Sequence, residues 1–238
     1  MPKLRHIYQT IEFDTMDIHV KTLKNKQQYD EKCDLNPIIG ISSANWSLFG
    51  VIWPSARILA TLMNSYNIKD KRILEVGCGI ALSSLVLNHR NANITTTDFN
   101  PEVKNLLREN TRINYGKVIP FECANWANND DTLGKFDLII ASDILYEQFH
   151  LKNLSRFLNE HANETCEIII VDPGRGNHAK FSKMMVALGY IHTQSEPLNT
   201  QDYLDEPFCG KIIKYIKNQS LGLLKIPCQS DKIISRID

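Results

Sequence analysis

The chain has 238 residues, with 27 Lys+Arg against 27 Asp+Glu and a formal net charge of zero. That length suits one large α/β domain, or one domain with an appendage, and buries enough surface to fold without a disulfide or a metal. Hydrophobic content of 43% and charged content of 23% exclude a collagenous, coiled-coil or disordered chain, and the neutral balance argues against nucleic-acid binding carried mainly by phosphate contacts.

Residues 1–50 read as a separate N-terminal extension. Ile7–Phe13 and Asp17–Leu23 alternate around an Asp14-Thr15-Met16 turn, which predicts a β-hairpin. Ile39–Gly50 carries Gly40, Ser42, Ser43, Asn45 and Gly50 and reads as loop. Pro54 then opens an amphipathic helix with Ile58, Leu59, Leu62, Met63 and Tyr66 on one side.

From Arg72 onward short apolar runs alternate with helical-period stretches. Arg72–Gly77, Ile94–Asp98, Lys117–Cys123, Phe136–Asp143 and Glu167–Asp172 are brief and nearly continuous in apolar residues, as parallel strands buried on both faces must be. The helices between them follow Val103, Leu106, Leu107 and Ile113, then Leu151, Leu154, Phe157 and Leu158, then Phe181, Met184, Met185 and Leu188. Asn100 suits an N-cap before Pro101, and Gly189 suits a left-handed C-cap. Tyr190–Leu198 and Gly210–Lys217 read as two strands with no helix between them. The expected fold is therefore α/β: a doubly wound, mostly parallel seven-stranded sheet closed by an antiparallel strand. A domain at 51–218 would lie between the extension and a tail at 219–238, to which no role is assigned.

No apolar run approaches the roughly 18 residues of a membrane-spanning helix, and the first residues contain no apolar signal-peptide core. Cys33, Cys78, Cys123, Cys166, Cys209 and Cys228 lie far apart with no CxxC pair, and the seven histidines show no ligand spacing. We expect a reduced, cytoplasmic protein without a metal.

The strongest local signal is Glu75-Val76-Gly77-Cys78-Gly79-Ile80-Ala81-Leu82, a strand that ends in a Gly-x-Gly turn before a helix. Glycine permits the tight turn and lets a ligand approach bare backbone, while the helix start offers unpaired N–H groups. Leu82 stands where a dinucleotide fingerprint needs a further glycine, and no Gly-Lys-Ser/Thr follows. The plain structural alternative is a strand–helix turn with no ligand. Asp98 ends the next strand, 19 residues after Gly79, where an acid can accept hydrogen bonds from a ribose diol. The two features together point to an adenosine-type ligand without a pyrophosphate.

Over about residues 40–217 these features resemble class I S-adenosylmethionine-dependent methyltransferases. More narrowly the chain resembles the seven-strand protein-lysine methyltransferase group that includes the electron-transfer-flavoprotein lysine methyltransferases. Four stretches carry that match: Val51-Ile52-Trp53-Pro54-Ser55-Ala56, Glu75 to Leu82, Ala141-Ser142-Asp143-Ile144-Leu145-Tyr146, and Val171-Asp172-Pro173-Gly174-Arg175. The resemblance implies S-adenosylmethionine as cofactor and S-adenosylhomocysteine as product, without a metal. It implies that Trp53 lies near the methionine end and that Glu75, Gly77, Cys78 and Gly79 form the loop under methionine and ribose. It also implies that Asp98 and Phe99 lie at the ribose, Asn125 and Trp126 at the adenine, and Ser142 beside the cofactor. An indole face suits stacking on a purine; its alternative is a tryptophan anchoring a loop. Two positions depart from the family pattern: Ala81 replaces a usual third glycine, and Asn125 replaces a usual aspartate.

By the same resemblance Asp143 and Tyr146 form an Asp-x-x-Tyr active-site motif. The carboxylate would draw in a lysine ammonium and the tyrosine would orient the nitrogen. Their plain alternative is a helix cap and a residue covering the first turn. The implied partner is a protein presenting a lysine, with no membrane and no nucleic acid. Two further readings stay open: a methyltransferase for a small molecule or other nucleophile, and a catalytically silent cofactor-binding module.

Overall fold

The computed structural model describes residues 5–24, 47–128 and 132–217. The hairpin is β1 (His6–Phe13) and β2 (Met16–Leu23), paired antiparallel from His6↔Leu23 to Phe13↔Met16 around a two-residue Asp14-Thr15 turn. The outer edge of β2 is covered by two amides one helical turn apart. Asn110 Oδ1 accepts the Lys21 N–H at 2.7 Å, and Asn114 Oδ1 accepts the His19 N–H at 2.8 Å. Their amide groups donate back to the Lys21 and His19 carbonyls, so a helix face stands in for a neighbouring strand.

The remaining elements are α1 (Pro54–Ser65), β3 (Arg72–Val76), α2 (Leu82–His89), β4 (Asn93–Asp98), α3 (Val103–Ile113), β5 (Phe121–Cys123), β6 (Phe136–Ser142), α4 (Leu151–His161), β7 (Ala162–Asp172), α5 (His178–Ala187), β8 (Tyr190–Ser195) and β9 (Lys211–Lys217). The seven strands lie in the order β5-β4-β3-β6-β7-β9-β8, parallel except that β9 is antiparallel to both its neighbours. Alternate residues of the central strands enter opposite cores. Ile73, Leu138, Ile140, Ile169 and Val171 face α1, α2, α3 and the hairpin residues Ile11, Ile18 and Val20. Leu74, Val76, Ile139, Ala141, Ile168 and Ile170 face α4 and α5. Burial on both sides is why these strands are apolar without alternation.

Several boundaries differ from the sequence expectation. Gly77 and Asp143 leave their strands because each turns to positive φ, +62° and +53°. The expected strand Lys117–Cys123 shortens to Phe121–Cys123, since Pro120 has no N–H for the ladder and Val118 is exposed. The expected strand Glu167–Asp172 lengthens to Ala162–Asp172, reaching Phe136 across a register shift; polar Asn163, Glu164 and Thr165 hid it. The strand after Gly189 ends at Ser195 rather than Leu198, and β9 begins at Lys211 rather than Gly210. Tyr66 lies just past α1, and Leu188 is exposed while Phe181 and Met185 fill the core of α5. Gly189 adopts φ +89°, as its capping position requires. Most of the expected loop 39–50 lies outside the described residues, but Ser47–Gly50 form a 3-10 turn. The tail 219–238 lies outside them entirely.

Candidate active site

The chain runs outward from β3 to β4 and β5, then crosses back to β6 and β7. The strand order therefore reverses between β3 and β6, where carboxyl ends of parallel strands leave a crevice for ligands. The Gly77 to Ala81 loop follows β3, Asp98 closes β4, and Ser142 closes β6. All three segments meet at that edge.

The loop needs bare backbone. Gly77, Gly79 and Ala81 adopt φ of +62°, +51° and +59°. A Cβ on Gly77 would lie 2.9 Å from Ile144 Cγ2 and 3.8 Å from Trp126 Cζ2, so the turn, the start of the Asp-x-x-Tyr stretch and the indole are immediate neighbours. At Ala81 the left-handed backbone costs about 1–2 kcal/mol. Its fully buried methyl offsets about 0.8 kcal/mol of that, so alanine in place of the expected glycine costs about 1 kcal/mol or less and is tolerated.

Asp98 ties the loop to β4. Its Oδ2 accepts the Gly79 N–H at 2.9 Å and its Oδ1 accepts the Asn100 N–H at 2.8 Å. Burial raises its pKa, against the opposing pull of the Asn100, Gly79 and Phe99 N–H groups. Asn100 Oδ1 accepts the Glu102 N–H at 3.0 Å and so closes the turn before α3, but the helix begins only at Val103 with Glu102 at its N-cap, two residues later than the expected Asn100 cap. Cys78 is buried beneath the same turn, where loss of water pushes its thiol up, and its N–H donates to the Thr97 carbonyl at 2.9 Å.

Glu75, the penultimate residue of β3, is buried against the first turn of α2. Its carboxylate is 2% exposed and accepts the Ser84 N–H at 3.0 Å as well as the Ser84 hydroxyl. Ala81, at the N-cap of α2, offers no side-chain bond, so Glu75 satisfies one of the helix's unpaired N–H groups from the neighbouring strand. Desolvation pushes its carboxyl up to about 7, against the Ser84 hydrogen bonds.

On the other flank, Phe99 is 37% exposed and its carbonyl accepts the Cys123 thiol at 3.4 Å. Asn125 Oδ1 accepts the Ala127 N–H at 3.0 Å and keeps a second lone pair. The half-buried Trp126 ring meets His150 edge-on at 6.1 Å, and its carbonyl is held by Arg156 at 3.1 Å. Trp53 precedes α1, its indole N–H donating to the Leu48 carbonyl at 3.1 Å. That same turn presses on the loop, because a Cβ on Gly79 would lie 3.1 Å from the Phe49 carbonyl oxygen.

Beyond the loop, half-buried Ser142 gives way to Asp143, whose N–H donates to the Val171 carbonyl at 2.9 Å. The Asp143 side chain is 10% exposed and held in a fork: Arg175 Nε to Oδ1 at 2.6 Å and Nη2 to Oδ2 at 2.7 Å. Tyr146 is 46% exposed. Burial, with the charges of Glu147, Asp98 and Asp143, pushes its hydroxyl up to about 12, so it stays protonated near neutral pH. Arg175 lies in the Val171-to-Arg175 stretch, and its sequence position alone implies no role. The flanking Gly174 and Gly176 mark a loop, and nothing in the linear chain says which carboxylate its side chain meets. Among the described residues no group of three or more His, Cys, Asp or Glu could hold a metal ion.

The sequence profile of the lysine methyltransferase family matches residues 38–187. The chain belongs to this family. It is 28% identical over 187 residues to a calmodulin-lysine N-methyltransferase of Arabidopsis thaliana, covering 71% of this chain and 61% of that protein. It is 26% identical over 149 residues to the electron transfer flavoprotein beta subunit lysine methyltransferase of Mus musculus, covering 61% and 55%. The chain thus spans little more than half the length of these relatives. Among solved structures, the magnesium protoporphyrin IX methyltransferase of Synechocystis with bound SAM superposes with a TM-score of 0.53 at 18% identity, covering 68% of this chain and 76% of that one. At that identity the likeness concerns the fold, which is that of class I methyltransferases. The candidate site lies at the carboxyl ends of the parallel strands, as the rule for open α/β sheets requires.

Proposed function

We propose that the protein transfers a methyl group from S-adenosylmethionine to the side-chain amine of a lysine in another protein. The observation that carries this reading is the placement of Asp143 and Tyr146 at the end of β6, one strand from the Gly77-x-Gly79 loop. Family membership and the lysine-directed names of the relatives support it.

The residues present suit an adenosyl ligand. Gly77 and Gly79 hold the left-handed turn over which methionine and ribose would lie, and Asp98 retains lone pairs for the ribose hydroxyls. Trp126 offers a face to the adenine and Asn125 a second lone pair, while Trp53, Cys78, Phe99 and Ser142 border the ligand. Glu75 shapes the site through α2. When bound, the cofactor supplies a sulfonium-activated methyl group, so the protein's task is to orient a nucleophile and strip its proton. Asp143 accepts a hydrogen bond from the arriving nitrogen. The Tyr146 hydroxyl oxygen accepts a second hydrogen bond from the nitrogen, which leaves the lone pair free and aims it at the methyl group. Partial burial at the strand ends lowers an amine's pKa toward neutrality. We read the chemistry as metal-free, residues 51–218 as the transferase domain and 1–50 as its extension. The thiols of Cys78, Cys123, Cys166 and Cys209 are free, which supports a reducing, cytoplasmic setting. Among the described residues no helix is long and apolar enough to cross a membrane.

The test is incubation with tritiated S-adenosylmethionine and a lysate from cells lacking the gene. Label in a discrete protein band, released as methyllysine on hydrolysis, supports the reading. Label confined to small molecules overturns it.

A further inference from the structure

Val171 and Ser142 pair across β7 and β6, so the two chains leave the sheet side by side and bring two acids, Asp143 and Asp172, to the same edge. Asp172 is 2% exposed; its Oδ2 accepts the Gly174 N–H at 3.1 Å and lies 3.8 Å from His178 Nδ1. The turn that follows adopts φ +93° at Gly174 and +85° at Gly176. No atom lies within 4 Å of a Cβ built on Gly176, and the nearest to one on Gly174 is 3.9 Å away. Glycine is therefore needed here for backbone direction and not for space. What that direction achieves is to lay Arg175 along Asp143, with both carboxylate oxygens engaged at 2.6 and 2.7 Å.

A lone carboxylate in this position poses a conflict. It attracts a lysine ammonium, but an opposite charge within about 4–6 Å also favours the protonated form, typically by 1–3 pH units. An ammonium has no lone pair to attack a methyl group. A carboxylate already forked by an arginine escapes the conflict, because each oxygen keeps a second lone pair for directing the nitrogen.

We propose that Arg175 is a positioning residue for methyl transfer: it balances the charge of Asp143, so that the pair orients the incoming lysine nitrogen without holding its proton. The inference rests on the lysine reading above. The other charged and titratable groups facing this pair are Asp172, Tyr146 and Glu147, with Asp98 across the crevice and His178 behind Asp172. Asp143 is the member of that set bound directly to Arg175. Burial raises the pKa of Asp172, and its carboxylate is turned to the Gly174 N–H and His178 rather than to the guanidinium.

The test compares pH–rate profiles from pH 6.5 to 9.5 for tritium transfer into acid-precipitated protein of the lysate lacking the gene. Arg175→Gln uncovers the Asp143 charge, so the rising limb moves to higher pH by about one unit or more. At pH 7 the rate then falls roughly tenfold, and most of the loss is recovered at pH 9.5. Asp143→Asn moves the limb the other way. The double variant Asp143→Asn/Arg175→Gln is neutral again and returns the limb to its wild-type position at reduced height. Arg175→Lys keeps the charge and holds the limb in place. Thermal melts with S-adenosylhomocysteine establish that each variant is folded. A second readout does not depend on turnover: nitrogen-15 spectra of arginine side chains in the wild-type protein show a slowly exchanging Nε–H signal. Arg175→Lys removes that signal and Asp143→Asn perturbs it. A wild-type limb position in Arg175→Gln, a double variant that stays displaced, or the absence of a protected Nε–H overturns the inference while leaving the lysine reading intact. Wild-type protein that labels no protein in the lysate overturns both.

Discussion

Asp98 at the end of β4 accepts the N–H of Gly79, in the loop after β3, at 2.9 Å. A single carboxylate thereby fixes the spacing of two adjacent strand ends and still faces the crevice. Replacing Asp98 with Ala is expected to weaken S-adenosylhomocysteine binding by about 1.5–3 kcal/mol, the range for hydrogen bonds to a charged group, and also to lower the melting temperature. Titration calorimetry and melts on the same samples separate the two effects. A lower melting point with unchanged affinity would assign Asp98 to the loop alone.

Gly77→Ala meets two obstacles, a φ of +62° and a Cβ 2.9 Å from Ile144 Cγ2. The backbone alone costs about 1–2 kcal/mol, and affinity for the homocysteine product should fall at least tenfold. Adding Ile144→Val removes part of the clash and none of the backbone strain, so the double variant recovers only partially. Full recovery would mean that crowding, not backbone conformation, dictates glycine here.

Glu75 makes stability depend on pH in an uncommon direction for an acid. Its carboxyl titrates at about 7 in the fold because burial disfavours the charge, against about 4.3 in an unfolded chain. The native state therefore holds the proton more tightly. The stabilisation is complete below the unfolded value and is lost as pH rises through about 7. At roughly 1.4 kcal/mol per pH unit the loss approaches about 4 kcal/mol. Glu75→Gln keeps an oxygen for Ser84 without the ionisable group, so denaturant unfolding at pH 5 and pH 8 should show a smaller decline in the variant. Equal declines would place the titration elsewhere.

Substitutions at Asp143 and Tyr146 should separate an enzyme from a silent binder. Asp143→Asn preserves a residue type that tolerates positive φ, so the backbone at +53° survives. S-adenosylhomocysteine affinity should stay nearly intact while turnover at pH 8 falls tenfold or more, or about 1.4 kcal/mol per decade. Tyr146→Phe removes one hydroxyl and should cost less. A folded Asp143→Asn that methylates at the wild-type rate places the acceptor elsewhere; one that loses the cofactor assigns Asp143 to the cofactor pocket.

The strands buried on both faces were legible because their composition had to be: Phe136 to Ala141 touches helices above and below, so no position could be polar except Asp137 at its solvent end. The same logic failed at the margins. Asn163 to Thr165 belong to β7 although their side chains are polar, since a strand that runs past the helix layer no longer needs apolar residues. Pro120 cut short an edge strand that the apolar pattern alone would have extended.

Within the candidate site, the sequence by itself determined which residues stand at the strand ends. A Gly-x-Gly turn after one strand, an acid after the next and an Asp-x-x-Tyr after the fourth are local events, set by position at strand ends in a doubly wound sheet. Partners were another matter. That Glu75 turns inward to serve Ser84, that Asn110 and Asn114 take the place of a strand beside the hairpin, and that Arg175 meets Asp143 across 32 residues of chain were decided only by the tertiary structure. Backbone placement follows from local pattern, whereas a charged or amide side chain takes whichever partner packing brings within about 3 Å.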